Sequence, residues 1–323
     1  MVSIGGSYGM VQLRIGHLST AYHTAFILMG GDWIENELGI DADWHLFPTG
    51  PEMIKAFIRK ELDLGYIGLP PAMIGIDKGL EIKCVAGGHV EGTVFTAMKN
   101  FKSLGELRTV NEVLKQFKGK VIGTTTRGSI HDVIIRQLID QAQLQDEVKV
   151  RNFEWADFIL EAMEQEEVSG GCGTPPLAVL AKRYLSGRIV LPPSVMWSNS
   201  PSYGIVATRE TMKDSSSILE GFLRLHEKAC NLAREKPQEA AKLATRAIGI
   251  VDKDFLLDVL RVSPKYCASL PAEYIESSLA FVPVLQGMGY LSKPLAKLDV
   301  FQTGIIDRIH REKPHYDDPG KLR

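Results

Sequence analysis

The feature that most constrains the fold of this chain is a repeated alternation of strand-type and helix-type hydrophobic spacing. Residues 11–15 alternate apolar and polar side chains, and residues 21–38 then set Phe26, Met29, Trp33, Ile34 and Leu38 at helical intervals. The pair recurs as a strand at 44–47, a helix at 51–60, a strand at 63–67, a helix at 71–78, and strands at 82–86 and 93–98. A polar connection with its own short helix, 99–116, then divides the chain. Beyond it the spacing predicts strands at 120–123, 148–153, 167–171 and 188–191, and helices at 130–141, 156–164 and 176–184. Pro192, Pro193 and Pro201 bracket an irregular segment, followed by a strand at 203–208. The rest reads as amphipathic helix over 216–235, 237–248, 253–262 and 272–288. Strands alternating with helices predict parallel sheets covered on both faces, here in two lobes.

Composition agrees with this reading. The 323 residues suffice for two domains at roughly 150 residues each, and 45% hydrophobic with 24% charged residues is a globular balance. Thirty-seven Lys and Arg against 39 Asp and Glu leave a net charge of −2. That balance carries no electrostatic footprint for nucleic acid or an anionic membrane. No run approaches the ~18 apolar residues that cross a bilayer, and no basic segment followed by an apolar one opens the chain as an export signal would. Residues 1–10, MVSIGGSYGM, read either as a scar where a leader was removed or as a short native arm. Cys84, Cys172, Cys230 and Cys267 stand far apart, with no CxxC pair and no histidine at ligand spacing, so neither a zinc nor another metal centre is expected. The cysteines fit a reducing or cysteine-indifferent environment.

In open α/β sheets, ligands bind at the carboxyl ends of strands, where helix N-termini present free N–H groups and the positive end of the helix dipole. Five strand-to-helix turns share small or hydroxylated residues: 18–23, 49–52, 68–71, 124–129 and 173–176. Pro51, Pro71 and Pro176 mark helix starts, because a missing N–H costs nothing in the first turn. Capping alone explains any one of them: Thr49 to Glu52 and Ser129 to Asp132 both match the S/T-x-x-D/E pattern. Five such turns shared between two facing lobes point instead to a cleft for a polar, acceptor-rich ligand.

The run Thr49-Gly50-Pro51-Glu52-Met53-Ile54, the segment Leu62-Asp63-Leu64-Gly65-Tyr66-Ile67-Gly68-Leu69-Pro70-Pro71-Ala72, and Gly119-Lys120-Val121-Ile122-Gly123 followed by Arg127-Gly128-Ser129 resemble the nitrate/sulfonate/bicarbonate solute-binding proteins of ABC transporters. The resemblance spans about residues 11–290 and includes the late Pro201-Ser202-Tyr203-Gly204-Ile205-Val206-Ala207-Thr208-Arg209 strand. It implies a type 2 periplasmic-binding-protein fold: two doubly wound α/β lobes joined by two crossover strands. Lobe 1 would comprise 11–98 plus 205–300, lobe 2 would comprise 101–200, and 301–323 would form a C-terminal tail. Hinge closure around a ligand is the motion this family implies.

The resemblance places Ser19, Thr20 and Tyr22 in a first binding loop, Thr49 and Gly50 in a second, Leu69 and Pro70 in a third, and Thr125, Thr126, Gly128 and Ser129 in a fourth. Arg127 reads either as a bidentate anion clamp or as an exposed helix-start charge. His89 ends a buried-looking strand after Gly87 and Gly88, where its ring could donate to a ligand oxygen or simply turn at the surface. His17, His23 and His89 lack a carboxylate at matching spacing, and His23 reads as pointing along a helix. Trp155, Trp197 and Tyr203 are candidate aromatic walls. Cys172, before a helix start with Thr174, reads as a pocket-lining residue, or as a nucleophile with no identifiable base. Relatives often carry an acidic or tryptophan-containing segment where this chain has Gly171-Cys172-Gly173-Thr174-Pro175-Pro176, which favours an anion or a neutral hydrogen-bonding group over an ammonium.

The expected function is capture of a small anionic solute of the sulfonate, nitrate or taurine class in the inter-lobe cleft, by a monomer that delivers it to a membrane ABC permease without a cofactor. Two alternatives stay open: a carrier of a pyrimidine or other heterocycle, and a cytosolic enzyme on the same scaffold resembling a pyrimidine synthase or a desulfinase. The expected location is periplasmic or membrane-associated outside the cytoplasm if a leader was trimmed, and cytoplasmic otherwise.

Overall fold

The computed structural model describes residues 12–322, so residues 1–10 and the first residue of the strand expected at 11–15 lie outside it. Two five-stranded sheets form. The strands are β1 (Gln12–Leu18), β2 (Asp41–Phe47), β3 (Leu64–Ile67), β4 (Ile82–Val90), β5 (Val94–Met98), β6 (Val121–Thr125), β7 (Lys149–Phe153), β8 (Gly170–Gly173), β9 (Gly187–Leu191) and β10 (Pro201–Thr208). The first sheet runs β2-β1-β3-β10-β4 and the second β7-β6-β8-β5-β9. The two lobes thus repeat one topology, with helices on both faces.

The sheets are mixed rather than purely parallel. In the first, β1 pairs in parallel with β2 and β3, while β10 runs antiparallel to β3 and β4. In the second, β6 is parallel to β7 and β8, and β5 is antiparallel to β8 and β9. The reversed strand is in each case the first one the chain lays down on entering that lobe, so it meets its sheet from the opposite direction. The chain passes between lobes at Glu91, after β4, and at Asn199, before β10. Both hold left-handed backbone, at φ 59° and 54°, and the Glu91 N–H donates to Ser200 O at 2.7 Å.

Helix spacing translates directly into packing. The helix Ser216–Glu235 buries Leu219, Phe222, Leu223, His226, Ala229, Cys230 and Ala233, three and four residues apart, along one stripe. Each large apolar side chain removed from water contributes about 1.5–3 kcal/mol. Helices Ile130–Gln141, Pro237–Ile248 and Lys253–Val262 also match their periodic runs. Two expected helices are interrupted. Residues 21–38 give a turn and then helices Ala25–Gly31 and Trp33–Leu38, broken where Asp32 takes φ 51°. Residues 272–288 divide at Ala280 into Ala272–Leu279 and Phe281–Gly287, because Pro283 has no N–H and its ring meets the carbonyl four residues back. The strand expected at 167–171 lies instead at Gly170–Gly173, with Cys172 in the strand and not in the turn. A Cβ on Gly171 would meet Ile159 at 2.7 Å, so this strand has traded the hydrophobic signal of a core strand for close approach.

The C-terminal residues pack on the first lobe. Phe301 forms a parallel bridge with Cys84, helix Gly304–Ile309 follows, and the Tyr316 hydroxyl reaches Cys267 O at 2.7 Å and Ser269 O at 2.9 Å. No helix among the described residues is long and apolar enough to cross a membrane.

Candidate functional site

The two sheets point their strand ends at a shared chamber. Five helices start there, and the residue capping each one lines the wall: Thr49 before Gly50–Ile58, Gly68 before Leu69–Asp77, Ser129 before Ile130–Gln141, Ala156 before Asp157–Glu164, and Thr174 before Pro175–Tyr184. Each helix start carries about half a positive charge on its unpaired N–H groups, so the chamber is electropositive without a basic side chain. The only charged side chain among the described lining residues is Asp157, which is exposed at the mouth.

Eight hydroxyl groups line the chamber: Ser19, Thr20, Tyr22, Thr49, Thr125, Ser129, Thr174 and Ser202. Several are fixed by neighbours. Tyr22 and Ser202 share a hydrogen bond across the lobe-1 wall, and Thr125 Oγ1 lies 2.7 Å from Ser129 Oγ. The turn holding this last pair is locked from behind. Buried Asp132 accepts the Gly128 N–H at 3.0 Å and Asn152 Nδ2 at 2.8 Å, and it pairs with Arg136 at 2.7 Å. Asn152 in turn donates to Thr125 O at 2.6 Å. Gly128 permits the turn by adopting φ 79°.

Two buried groups in the wall have hydrogen-bonding atoms that nothing among the described residues satisfies: Thr49 Oγ1 and His23 Nδ1. The Thr49 hydroxyl makes no cap bond to its own helix, whereas Ser129 does accept the Asp132 N–H. Capping therefore accounts for Ser129 in part and for Thr49 not at all. A buried polar atom without a partner costs about 1–3 kcal/mol, which a ligand can recover. His131 adds a second imidazole. Its Nδ1 is engaged by Thr93 Oγ1 at 2.8 Å, and burial lowers its pKa to about 4. Burial also drives His23 well below the ordinary histidine value. Both rings are therefore neutral, each with one N–H to donate.

The enclosed volume is about 60 Å³. At about 10–15 Å³ for each water-sized occupant, that admits a group of about four to six heavy atoms. The chamber shares Ser19, Asp157, Pro176 and Leu180 with a wider groove of about 670 Å³, whose walls include Phe26, Met29, Leu46, Ile248, Val251 and Phe255. The site thus has a small polar inner end and a larger apolar approach.

Of the expected site residues, Ser19, Thr20, Tyr22, Thr49, Gly50, Thr125, Ser129 and Thr174 line the chamber. The others stand elsewhere. Leu69 and Pro70 are buried in the helix turn behind Gly68. Thr126 donates to Phe153 O at 3.4 Å, and Gly128 shapes its turn without lining the wall. Arg127 is exposed outside the lining, so it clamps nothing in the chamber. His89 is buried behind the wall, its Nε2 on Ser263 O and its ring stacked on Tyr203 at 9°. The Tyr203 hydroxyl in turn meets Thr24 Oγ1 at 3.1 Å. Trp197 stacks on Phe281 at 3.9 Å and donates to Ser277 O, as core packing. Cys172 is fully buried, with burial pushing its thiol pKa up, the opposite of what a nucleophile needs.

Sequence reasoning left His23, His131, Ser202 and Gly68 out of the site residues, although the candidate turns 18–23 and 68–71 contain His23 and Gly68. His23 belongs to the turn before the helix that begins at Ala25, and so faces inward instead of along a helix. The sequence signal for Ser202 was its place at the carboxyl-side rim, one residue from the second lobe crossing's proline.

Two mixed five-stranded sheets of identical strand order, joined by two crossings and enclosing a chamber built from helix N-termini, define the type 2 periplasmic-binding-protein fold. The chain belongs to the NMT1-like family, which it matches over residues 8–248. A binding protein of Brucella abortus is 21% identical over 247 residues, covering 74% of this chain and 72% of that one. Among solved structures, the alkanesulfonate-binding protein of Xanthomonas axonopodis pv. citri, bound to MOPS, superposes with a TM-score of 0.75 at 16% identity, over 90% of this chain and 98% of that chain. The periplasmic aliphatic sulphonate-binding protein of Escherichia coli gives 0.75 at 17%, over 90% and 92%. The periplasmic nitrate-binding protein of Synechocystis PCC 6803 gives 0.75 at 11%, over 97% and 93%.

Proposed function

We propose that this chain is the solute-binding component of an ABC importer, working outside the cytoplasm as a monomer, and that its solute carries a small oxyanion headgroup on an apolar substituent. An organosulfonate fits this description best. The observation that carries the reading is the convergence of five helix N-termini and eight hydroxyls on a chamber the size of one headgroup, with no cationic side chain in its wall. Helix dipoles and neutral donors bind a permanently ionised group without the desolvation cost of burying an arginine. The apolar groove outside supplies cover for an alkyl or aryl tail. The sulfonate- and nitrate-binding neighbours support the same chemistry.

Binding without catalysis is the better account of these residues, since no lining side chain pairs a nucleophile with a base. In thermal-shift and calorimetric titrations, alkanesulfonates of increasing chain length should raise Tm and bind more tightly as the tail grows, since a ligand of the native state adds RT ln(1 + [L]/Kd). Nitrate should bind more weakly, and pyrimidines not at all. Turnover of a pyrimidine or sulfinate, with no shift from any sulfonate, would overturn the proposal.

A further inference from the structure

Away from the chamber, the loop after helix Lys253–Val262 runs beside β4. The Gly87 N–H donates to Ala268 O at 2.8 Å, the Cys267 N–H donates to Gly88 O at 3.2 Å, and Tyr266 bridges to His89. This fixes Cys267, which is 2% exposed, with its sulfur directed at the returning C-terminal residues. His310 Nε2 lies 3.8 Å from Cys267 Sγ, and His315 Nδ1 lies 3.9 Å from it. All three donor atoms fall within 4.8 Å of one another. Sequence spacing hid the cluster, because 43 and 48 residues separate the cysteine from its histidines.

We propose that Cys267, His310 and His315 form a structural zinc site that fastens the C-terminal segment to the first lobe. Zinc–sulfur bonds of about 2.3 Å and zinc–nitrogen bonds of about 2.0–2.1 Å at a tetrahedral angle set sulfur and nitrogen about 3.6 Å apart. The sulfur–nitrogen separations close to that value with side-chain adjustments of a few tenths of an ångström, and the two histidine nitrogens, within 4.8 Å of each other, reach the separation of about 3.3 Å in a tetrahedral site by rotation of the more exposed His315 ring. The far ring nitrogens are also oriented. His310 Nδ1 is held by Glu227 Oε1 at 2.5 Å, and His315 Nε2 faces Glu312 Oε2 at 3.4 Å. A carboxylate on the remote nitrogen fixes ring and tautomer so that the other nitrogen offers its lone pair to a metal. The backbone N–H of His315 donates to Cys267 Sγ at 3.4 Å, which favours the thiolate form. One thiolate and two imidazoles select zinc over magnesium, calcium or manganese, which prefer oxygen. Water completes the fourth position on the side of His315, the most exposed of the three.

The inference is independent of the solute and is tested with Co²⁺ as a spectroscopic probe, followed by Zn²⁺. Chelator-treated full-length protein titrated with Co²⁺ should develop tetrahedral visible bands and a near-ultraviolet thiolate charge-transfer band at one equivalent, and Zn²⁺ should displace both. Zn²⁺ alone should raise Tm. Cys267→Ser should abolish the charge-transfer band. His315→Ala removes the most exposed of the three ligands while leaving the backbone N–H bond to Cys267 in place, and should weaken Co²⁺ binding by at least tenfold. No charge-transfer band in the wild type, or a band unchanged in either variant, overturns the proposal.

Discussion

The Glu91 carboxylate, 3% exposed, accepts the backbone N–H of Asn199 at 3.1 Å, tying together the two points where the chain passes between lobes. Lys265 Nζ lies 3.1 Å from the same carboxylate and anchors it to lobe 1. Glu91→Ala leaves Lys265 with Asp317, 3.6 Å away, as its remaining partner and frees one crossing from the other. Urea denaturation should register a loss of about 1–3 kcal/mol, the cost of leaving a partly buried backbone N–H without its acceptor. A change below 0.5 kcal/mol would show that the tie is incidental.

Thr49→Val separates binding from stability. Its hydroxyl is buried and has no partner among the described residues, so an isosteric methyl removes an unpaired group and should leave Tm unchanged or slightly higher. Affinity for a sulfonate should fall about tenfold, the loss of one hydrogen bond to a charged ligand. Equal losses of stability and affinity would show instead that the side chain supports the wall.

Asp157 stands at the junction of chamber and groove. Its carboxylate repels an anion and attracts an ammonium. Asp157→Asn should tighten ethanesulfonate and weaken taurine, which differ by the amino group, and paired calorimetric titrations read the ratio directly. Parallel shifts for the two ligands would place the carboxylate out of reach of either.

Acid stability follows from histidines held neutral by burial. His89, His131 and His226 have pKa values lowered from 6.5 to about 3, 4 and 4. Below pH 6.5 the unfolded chain binds protons that the native chain refuses, so stability falls as pH drops from 6.5 toward 4. Each histidine removes about 1.4 kcal/mol per pH unit across that window. Above pH 6.5 these three contribute no slope. Urea midpoints at pH 6.5, 5.5 and 4.5 should fall steadily, and a flat profile over that range would contradict neutral burial.

The alternation of elements was legible in the sequence because burial on one face imposes periodicity, and helices such as Ile130–Gln141 carry it along their whole length. Boundaries failed where a single residue overrode the pattern, as at Asp32 and Pro283, and at Gly170–Gly173, where space rather than hydrophobicity selects the residues. Within the candidate site, hydroxylated turns were readable because helix N-termini demand particular chemistry. The inward aim of His23, the outward placement of Arg127 and the stacking of Trp197 on Phe281 depend on tertiary geometry that spacing does not encode. The cluster around Cys267 joins segments more than 40 residues apart, which no local pattern reports.

The reversed strands also set an order of assembly. Every strand of the second sheet lies in one unbroken stretch, Val94–Leu191, whereas the first sheet cannot join β4 to β3 until β10, the last strand to leave the ribosome, slots between them. The later lobe can therefore mature while the earlier one still waits with an open seam, and a nascent chain halted near residue 200 would expose that seam to chaperones or to export machinery that takes only unfinished chains.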